Sequence, residues 1–241
     1  MKVSFILPTY NESKGIRETL KQFEQLRRLD HEVIVSDNGS TDDTVALARA
    51  AGAKVVVRPS DTRTSIGECR NRGARAAVGG LLWFIDADVR IVDIEATVQE
   101  VQAYFNDHPH VAAATMRITI YTEEIQWMDK VVYAVFNSMV YLMNRLLKTG
   151  ASPGDCMMVR RTEFERIQGF KPELRTAEDF ELYARLAKVG EIAYFWHRKI
   201  AMSPRRIRRD GWPKVLGQWF RNWFNQAILG KATVADWEAR R

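Results

Sequence analysis

Between Val3 and Ile85 short apolar runs alternate with longer amphipathic stretches. Val3–Leu7, Val33–Val35, Val55–Val57 and Leu81–Ile85 are rich in β-branched and other large apolar residues and are bounded by polar turns, the pattern of strands buried on both faces. The stretches between them have helical spacing. Ser13 is placed to cap a helix carrying Ile16, Leu20 and Phe23 on one face, and Thr41 to cap a second with Asp42 and Asp43 in its first turn. A third helix is expected from Ile66 to Val78, ending at Gly79-Gly80. Strands that alternate with helices imply right-handed crossovers and a mostly parallel sheet, in which ligands sit beyond the carboxyl ends of the strands.

Further along, Ile94, Val98, Val101 and Phe105 mark a fourth helix, Val111–Ile120 a long strand, and Ile125–Leu147 an apolar helix expected to be mostly core. Thr176–Val189 reads as a helix closed by Gly190, Ile192–Trp196 as a late strand, and Trp212–Leu229 as a last amphipathic helix. There is no internal repeat and no low-complexity linker. The expectation is one α/β domain over residues 1–203, with a nucleotide-binding half (1–92) and an acceptor and catalytic half (93–203), followed by a basic, Trp-rich tail (204–241).

Composition narrows this picture. A chain of 241 residues is long enough for a sizeable core, and two cysteines, Cys69 and Cys156, are too few for a disulfide framework. The run Val3–Leu7 is too short for a signal-peptide core, and no stretch has the length of a spanning helix, so a cytoplasmic protein is expected, free or at the inner face of a membrane. The net charge of +6 is uneven: Arg198–Arg221 holds eight Lys or Arg against one acid, Asp210. Such a block attracts phosphate or anionic lipid. It is the only hint of nucleic acid, which is not expected as a partner.

The residues after each strand carry the candidate chemistry. Pro8-Thr9-Tyr10-Asn11-Glu12 follows the first; proline should turn the chain out of the sheet and leave Thr9 and Tyr10 on the crevice, where a tyrosine ring stacks on a base. Ser36-Asp37-Asn38-Gly39-Ser40 follows the second, and Asp37 either serves the Asn-Gly turn or accepts hydrogen bonds from a nucleoside. The wholly apolar Leu81–Ile85 runs straight into Asp86-Ala87-Asp88. Two carboxylates so close repel each other unless a cation joins them, and a hard divalent ion shared with substrate phosphates would do so. In Thr176-Ala177-Glu178-Asp179, Thr176 and Asp179 have the spacing of a capping box, while Asp179 is also a candidate general base. Gly150–Asp155 reads as a flexible loop, and His197 is more often structural than metal-bound at such a position.

Taken in order, these segments resemble glycosyltransferase family 2, the inverting enzymes of the GT-A fold. The carrying residues are Val3–Glu12, Val35–Asp42, Arg70-Asn71 with Gly73, Asp86-Ala87-Asp88, Gly154 with Met157–Arg161, Gly169-Phe170 and Glu178-Asp179. The resemblance implies a Rossmann-like, mostly parallel sheet flanked by helices, and a nucleotide-sugar donor, usually of uridine and otherwise of guanosine or thymidine. It places Pro8, Thr9, Tyr10, Glu12, Asp37 and Arg70 around that donor. Asp86 would face the ribose and sugar, and Asp88, with Asp86 beside it, would ligate Mn²⁺ or Mg²⁺ between the phosphates. Asp179 would be the base, with Glu178 shaping the acceptor site for a glycan, glycolipid or polyprenyl phosphate, as in envelope polysaccharide or glycolipid synthesis. Arg90 stands where some polyprenyl-phosphate enzymes carry glutamine, and Gln218-Trp219-Phe220-Arg221 is followed by Asn222 rather than the tryptophan of processive synthases.

Four of the seven tryptophans lie between Trp212 and Trp237, and Trp219, Phe220, Trp223 and Phe224 share one side of the last helix. That helix suits an anionic membrane surface, its own core, or a second copy of the chain in a homodimer. Arg205 and its neighbours would alternatively close over a donor diphosphate. A sugar-phosphate nucleotidyltransferase is the enzymatic rival, but would want a glycine-rich loop after the first strand; a non-catalytic nucleotide-sugar-binding scaffold is the other.

Overall fold

The apolar runs assemble into one eight-stranded sheet. The computed structural model describes residues 1–59 and 64–229, with side chains as far as residue 221. Strands β1 (Val3–Thr9), β2 (His31–Asp37), β3 (Lys54–Val57), β4 (Leu81–Ile85), β5 (Val89–Ile91), β6 (Val111–Ile120), β7 (Cys156–Arg160) and β8 (Glu191–Met202) lie in the order β3-β2-β1-β4-β7-β6-β8-β5. Parallel pairing joins β3, β2, β1 and β4, and β6 with β8; β7 runs antiparallel to β4 and β6, and β5 to β8. β5, early in sequence, therefore closes the far edge.

The helices are α1 (Ile16–Lys21), α2 (Thr44–Ala50), α3 (Ile66–Ala76), α4 (Ile94–Asp107), α5 (Trp127–Arg145), α6 (Arg161–Arg166), α7 (Glu178–Leu186), α8 (Arg205–Asp210) and α9 (Trp212–Leu229). Alternation along the central strands builds a core on each face. Val3, Phe5, Leu7 and Trp83 face one side, where Phe5 packs on Trp83 with ring centroids 5.2 Å apart. Ile6, Ile34, Leu82 and Phe84 face the other with Leu182 and Tyr183 of α7. Burying each such side chain contributes about 1.5–3 kcal/mol.

Several local expectations are corrected. α1 begins after Gly15 rather than Ser13, and α2 after Asp43 rather than Thr41, with no side-chain cap at either. Asp42 instead accepts from the Thr44 and Ser13 amides, tying the two loops together. α3 is capped by Ser65 and stops at Ala77, short of Gly79-Gly80. Gly79 serves close approach: a Cβ there would lie 2.7 Å from the Lys2 carbonyl oxygen. α7 starts at Glu178 after a left-handed Ala177 (φ 57°), so the Thr176 capping box does not form. The late strand extends to Met202, and β5 and β7 are additional.

Pro8 does not turn the chain out of the sheet. β1 continues through Pro8, opposite Ser36, to Thr9, opposite Asp37, whereas pairing with β4 ends at Ile6. The missing N–H falls where β1 has one partner strand, so it leaves the β4 ladder intact.

Candidate active site

The loops after β1 and β2 are laced together. Thr9 is fully buried and donates to Asp37 Oδ1 at 3.1 Å, rather than facing the crevice. Asp37, also fully buried, accepts from the Gly39 and Ser40 amides at 2.8 Å each and from the Ser40 hydroxyl at 2.5 Å. These contacts fill the four lone-pair directions of the carboxylate, so Asp37 shapes the turn. Asn11 (φ 56°) accepts the Thr41 amide at its side-chain Oδ1, and its own backbone N–H donates to Ser40 Oγ. Tyr10 and Glu12 stay partly exposed on this rim.

The second cluster is built by α3, β4, β7 and α7. A methyl group at Gly73 would lie 2.4 Å from Ile6 Cγ2, so glycine lets α3 sit directly on β1. That packing brings Arg70, 1% exposed, under the carboxyl end of β4. Arg70 donates to Asp86 Oδ1 at 2.9 Å, to Glu178 Oε1 at 2.7 Å and to the Gly154 carbonyl at 2.9 Å. Its Nε is buried without a partner. Burial alone would lower the Arg70 pKa, but Asp86, Glu178 and Asp179 more than reverse this and keep it charged.

Antiparallel pairing supplies a further acid, Asp155, from the turn that leads into β7. Ile85 of β4 lies opposite Cys156 of β7, which sets Asp155 beside Asp86. Burial raises the Asp155 carboxyl well above its ordinary range, and Asp86 and Asp88 raise it further. Asp86 is raised by burial and by Asp88, against the pull of Arg70. Asp179 is pushed up to about 7 by burial and by Glu178. Gly154 leaves room for it, since a Cβ there would lie 3.1 Å from Asp179 Oδ2.

Asp88 turns toward the carboxyl-terminal part of the chain. Its carbonyl accepts from Tyr121 Oη at 2.6 Å and the Ser203 amide at 3.3 Å, which bring α8 alongside. Arg205 then reaches Asp88 Oδ2 at 3.0 Å and Glu12 Oε2 at 3.4 Å. Glu12 is raised by burial and by Asp88, with Arg205 opposing. His197 lies elsewhere, 2.6 Å from Glu100 Oε1. Arg90 pairs with Glu123 and stacks over Tyr121.

The structure thus brings together Glu12, Arg70, Asp86, Asp88, Glu178 and Asp179, and adds Asp155 and Arg205. Among the described residues, no group of three or more His, Cys, Asp or Glu side chains is set to hold a metal ion unaided. The donor set nevertheless fits a hard divalent ion: carboxylate oxygens predominate, and Glu12, Asp86, Asp155 and Asp179 are all raised in a cluster short of positive charge. Magnesium in particular is commonly bound by one or two carboxylates together with substrate phosphates.

Fold and site define an open α/β domain of the class that takes its ligand at the carboxyl edge of a largely parallel sheet. More narrowly, residues 4–168 match the family model Glycosyl transferase family 2, and the chain belongs to that family. The O-antigen chain rhamnosyltransferase of Salmonella typhimurium is 25% identical over 205 residues, 80% of this chain and 64% of that protein. The glucosyl-3-phosphoglycerate synthase of Mycolicibacterium smegmatis is 39% identical over 95 residues, 36% of this chain and 31% of that protein. The chain therefore spans less than two thirds of the length of either relative. Among solved structures, the mannosyltransferase of Pyrobaculum calidifontis in complex with GDP-Man and Mn²⁺ superposes with a TM-score of 0.66 at 20% identity, over 96% of this chain and 65% of that one. This likeness establishes the fold, which is the GT-A arrangement.

Proposed function

We propose that this domain transfers a sugar from a nucleoside-diphosphate donor to an acceptor hydroxyl or lipid phosphate, with inversion at the anomeric carbon. The observation that carries the proposal is the gathering of Asp86, Asp155 and Asp179 around Arg70 at the carboxyl edge of the sheet, with Asp88 close to Asp86 and Asp155, in a cluster deficient in positive charge. Family membership and the nucleotide-sugar complexes of structural neighbours support it.

In this reading the nucleoside lies along the rim of Tyr10 and Glu12, which the buried Pro8, Thr9 and Asp37 hold in shape from beneath. Asp88 and Asp86 would hold Mn²⁺ or Mg²⁺, which when bound stabilises negative charge on a departing diphosphate. Arg205 already stands beside Asp88 and exchanges that carboxylate for phosphate oxygens, with which arginine forms short charge-assisted hydrogen bonds. Asp179 takes the proton of an acceptor hydroxyl as that oxygen attacks the anomeric carbon and the glycosyl–phosphate bond breaks. Its raised pKa suits a base near neutral pH. Glu178, tied to Arg70, fixes the first turn of α7 and so the aim of Asp179.

The test is thermal stabilisation by a panel of uridine, guanosine and thymidine diphosphate sugars with Mn²⁺, followed by assay of slow donor hydrolysis. A matching donor near 100 times its Kd stabilises by about 2.7 kcal/mol, a Tm rise of roughly 5–10 °C. Asp88→Asn is expected to lose the metal-dependent part of that rise. If no nucleotide sugar stabilises the protein with Mn²⁺, or with Mg²⁺ in a repeat of the panel, the proposal fails.

A further inference from the structure

Helix α5 is amphipathic in the opposite sense to that expected of a water-exposed helix. Its buried stripe is largely polar: Asp129, Tyr133, Asn137 and Asn144 point inward with Val140. Each polar group is used. Asp129 receives the Trp212 indole N–H at 2.8 Å and pairs with Arg208. Asn137 bonds both the N–H and the carbonyl of Ile118 on β6, and Asn144 both those of Ala151, in the loop leading to Asp155. The outward stripe is apolar at helical spacing: Trp127 (71% exposed), Val131, Val135 (66%), Met139, Leu142 and Leu146 (67%). Tyr141 and the exposed Trp196 of β8 extend it, with ring centroids 5.4 Å apart. Surface helices of soluble proteins present the reverse arrangement, and a contiguous exposed apolar stripe marks a binding surface.

Two features identify what binds it. Between Trp127 and Lys148 every exposed charge is a cation, namely Lys130, Arg145 and Lys148, while the one acid in this stretch, Asp129, is buried. Among the described residues, Arg145 alone of the three meets an acid, Glu191, at 3.6 Å on the border. A two-fold pairing of this face with itself would bring Lys130 and Lys148 toward their copies, while the bordering acid, Glu191, is already engaged by Arg145. An anionic bilayer satisfies both the stripe and its charges. Exposed tryptophan and tyrosine suit the headgroup boundary, and long cationic side chains reach phosphates while their stems lie on apolar surface. Among the described residues no helix is long and apolar enough to cross a membrane, and the polar stripe binds α5 to the sheet, so it would lie on the bilayer.

We infer that α5 docks this domain on an anionic phospholipid surface, its axis in the membrane plane over about 28 Å, the length of its 19 residues at 1.5 Å each. Because Asn144 bonds both the N–H and the carbonyl of Ala151, docking through α5 would hold the loop that leads to Asp155 on the inner side of that helix. The inference stands apart from the transfer reaction and is tested without any donor. The full chain is mixed with phosphatidylglycerol–phosphatidylcholine vesicles or with phosphatidylcholine alone, and the sedimenting fraction is measured at low and high salt. Wild-type protein should sediment with the anionic vesicles and largely detach at high salt. The double variant Val135→Glu/Leu142→Glu should lose binding at least tenfold while keeping its Tm, since both sites are exposed. Lys130→Glu/Lys148→Glu should weaken binding to the anionic vesicles severalfold. Failure of the wild type to sediment, or unchanged binding by the Val135→Glu/Leu142→Glu protein, would overturn the inference. So would a dimer in sedimentation velocity that this same variant converts to monomer, which would assign the stripe to a second copy.

Discussion

The two rims of the sheet treat their carboxylates in opposite ways. On the β1–β2 rim, Asp37 is matched by four hydrogen-bond donors, three within its own turn and the fourth from Thr9 on β1. On the β4–β7–α7 rim, Asp86, Asp155 and Asp179 share too little positive charge, and each is raised by burial and by an acidic neighbour. A saturated acid shapes a loop. A group of under-compensated ones leaves a local deficit of positive charge, and strongly perturbed acids are candidates for chemistry.

The largest break comes from removing the one cation common to the second rim. Arg70→Met leaves Asp86 and Glu178 without their partner in a buried site, at a cost of about 3–5 kcal/mol. Chemical denaturation should show this loss with the slope unchanged. Next, Asp179→Asn should lower transfer by about 10²–10⁴-fold, the usual contribution of a general base, while donor affinity by calorimetry stays within twofold. Full transfer activity in this variant would remove Asp179 from the base role. Asp37→Asn should cost about 1.5–3 kcal/mol, because it weakens hydrogen bonds to a charged acceptor, and should alter donor binding only through the shape of the rim.

The pH dependence sharpens the same contrast. Asp179 has a folded pKa near 7 against an ordinary 3.8, so the folded state binds more protons between these values and metal-free stability falls as pH rises through that window. Thermal melts from pH 5 to pH 8 without metal should show this decline. The acid limb of kcat/KM should report a shared apparent pKa near 7, with activity rising toward higher pH as the base ionises. The smallest effect is a gain: Asp155→Asn removes a carboxylate that resists ionising, and should raise the metal-free Tm at pH 8 by about 2–4 °C, as about 1 kcal/mol does in a chain of this size. No such gain is expected at Asp37.

Much of this was legible in the linear pattern. The strands of the first half and the Asp86-Ala87-Asp88 edge follow from β-branched runs ending in polar turns, because a strand buried on both faces has few other compositions. Gly73 and Arg70 appeared only as part of a family resemblance; the close approach of α3 to Ile6 supplies the physical reason. β7 does not stand out in the sequence, since Cys156–Arg160 is short and holds a single β-branched residue, Val159, and no aromatic one. With it goes Asp155, whose place beside Asp86 depends on a pairing between segments some seventy residues apart. The apolar composition of Ile125–Leu147 was plain, but which stripe faces inward was not.

The amino-acid sequence by itself determined the strand-and-helix alternation, the family and the acids at the strand ends, because periodicity and local turn chemistry are encoded between near neighbours. Tertiary structure alone decided that Arg70 joins Asp86 to Glu178, that Arg205 reaches Asp88, that Asp37 is saturated, and that α5 turns its polar side inward. Those outcomes rest on which distant segments pack together, and burial and charge compensation are properties of that packing.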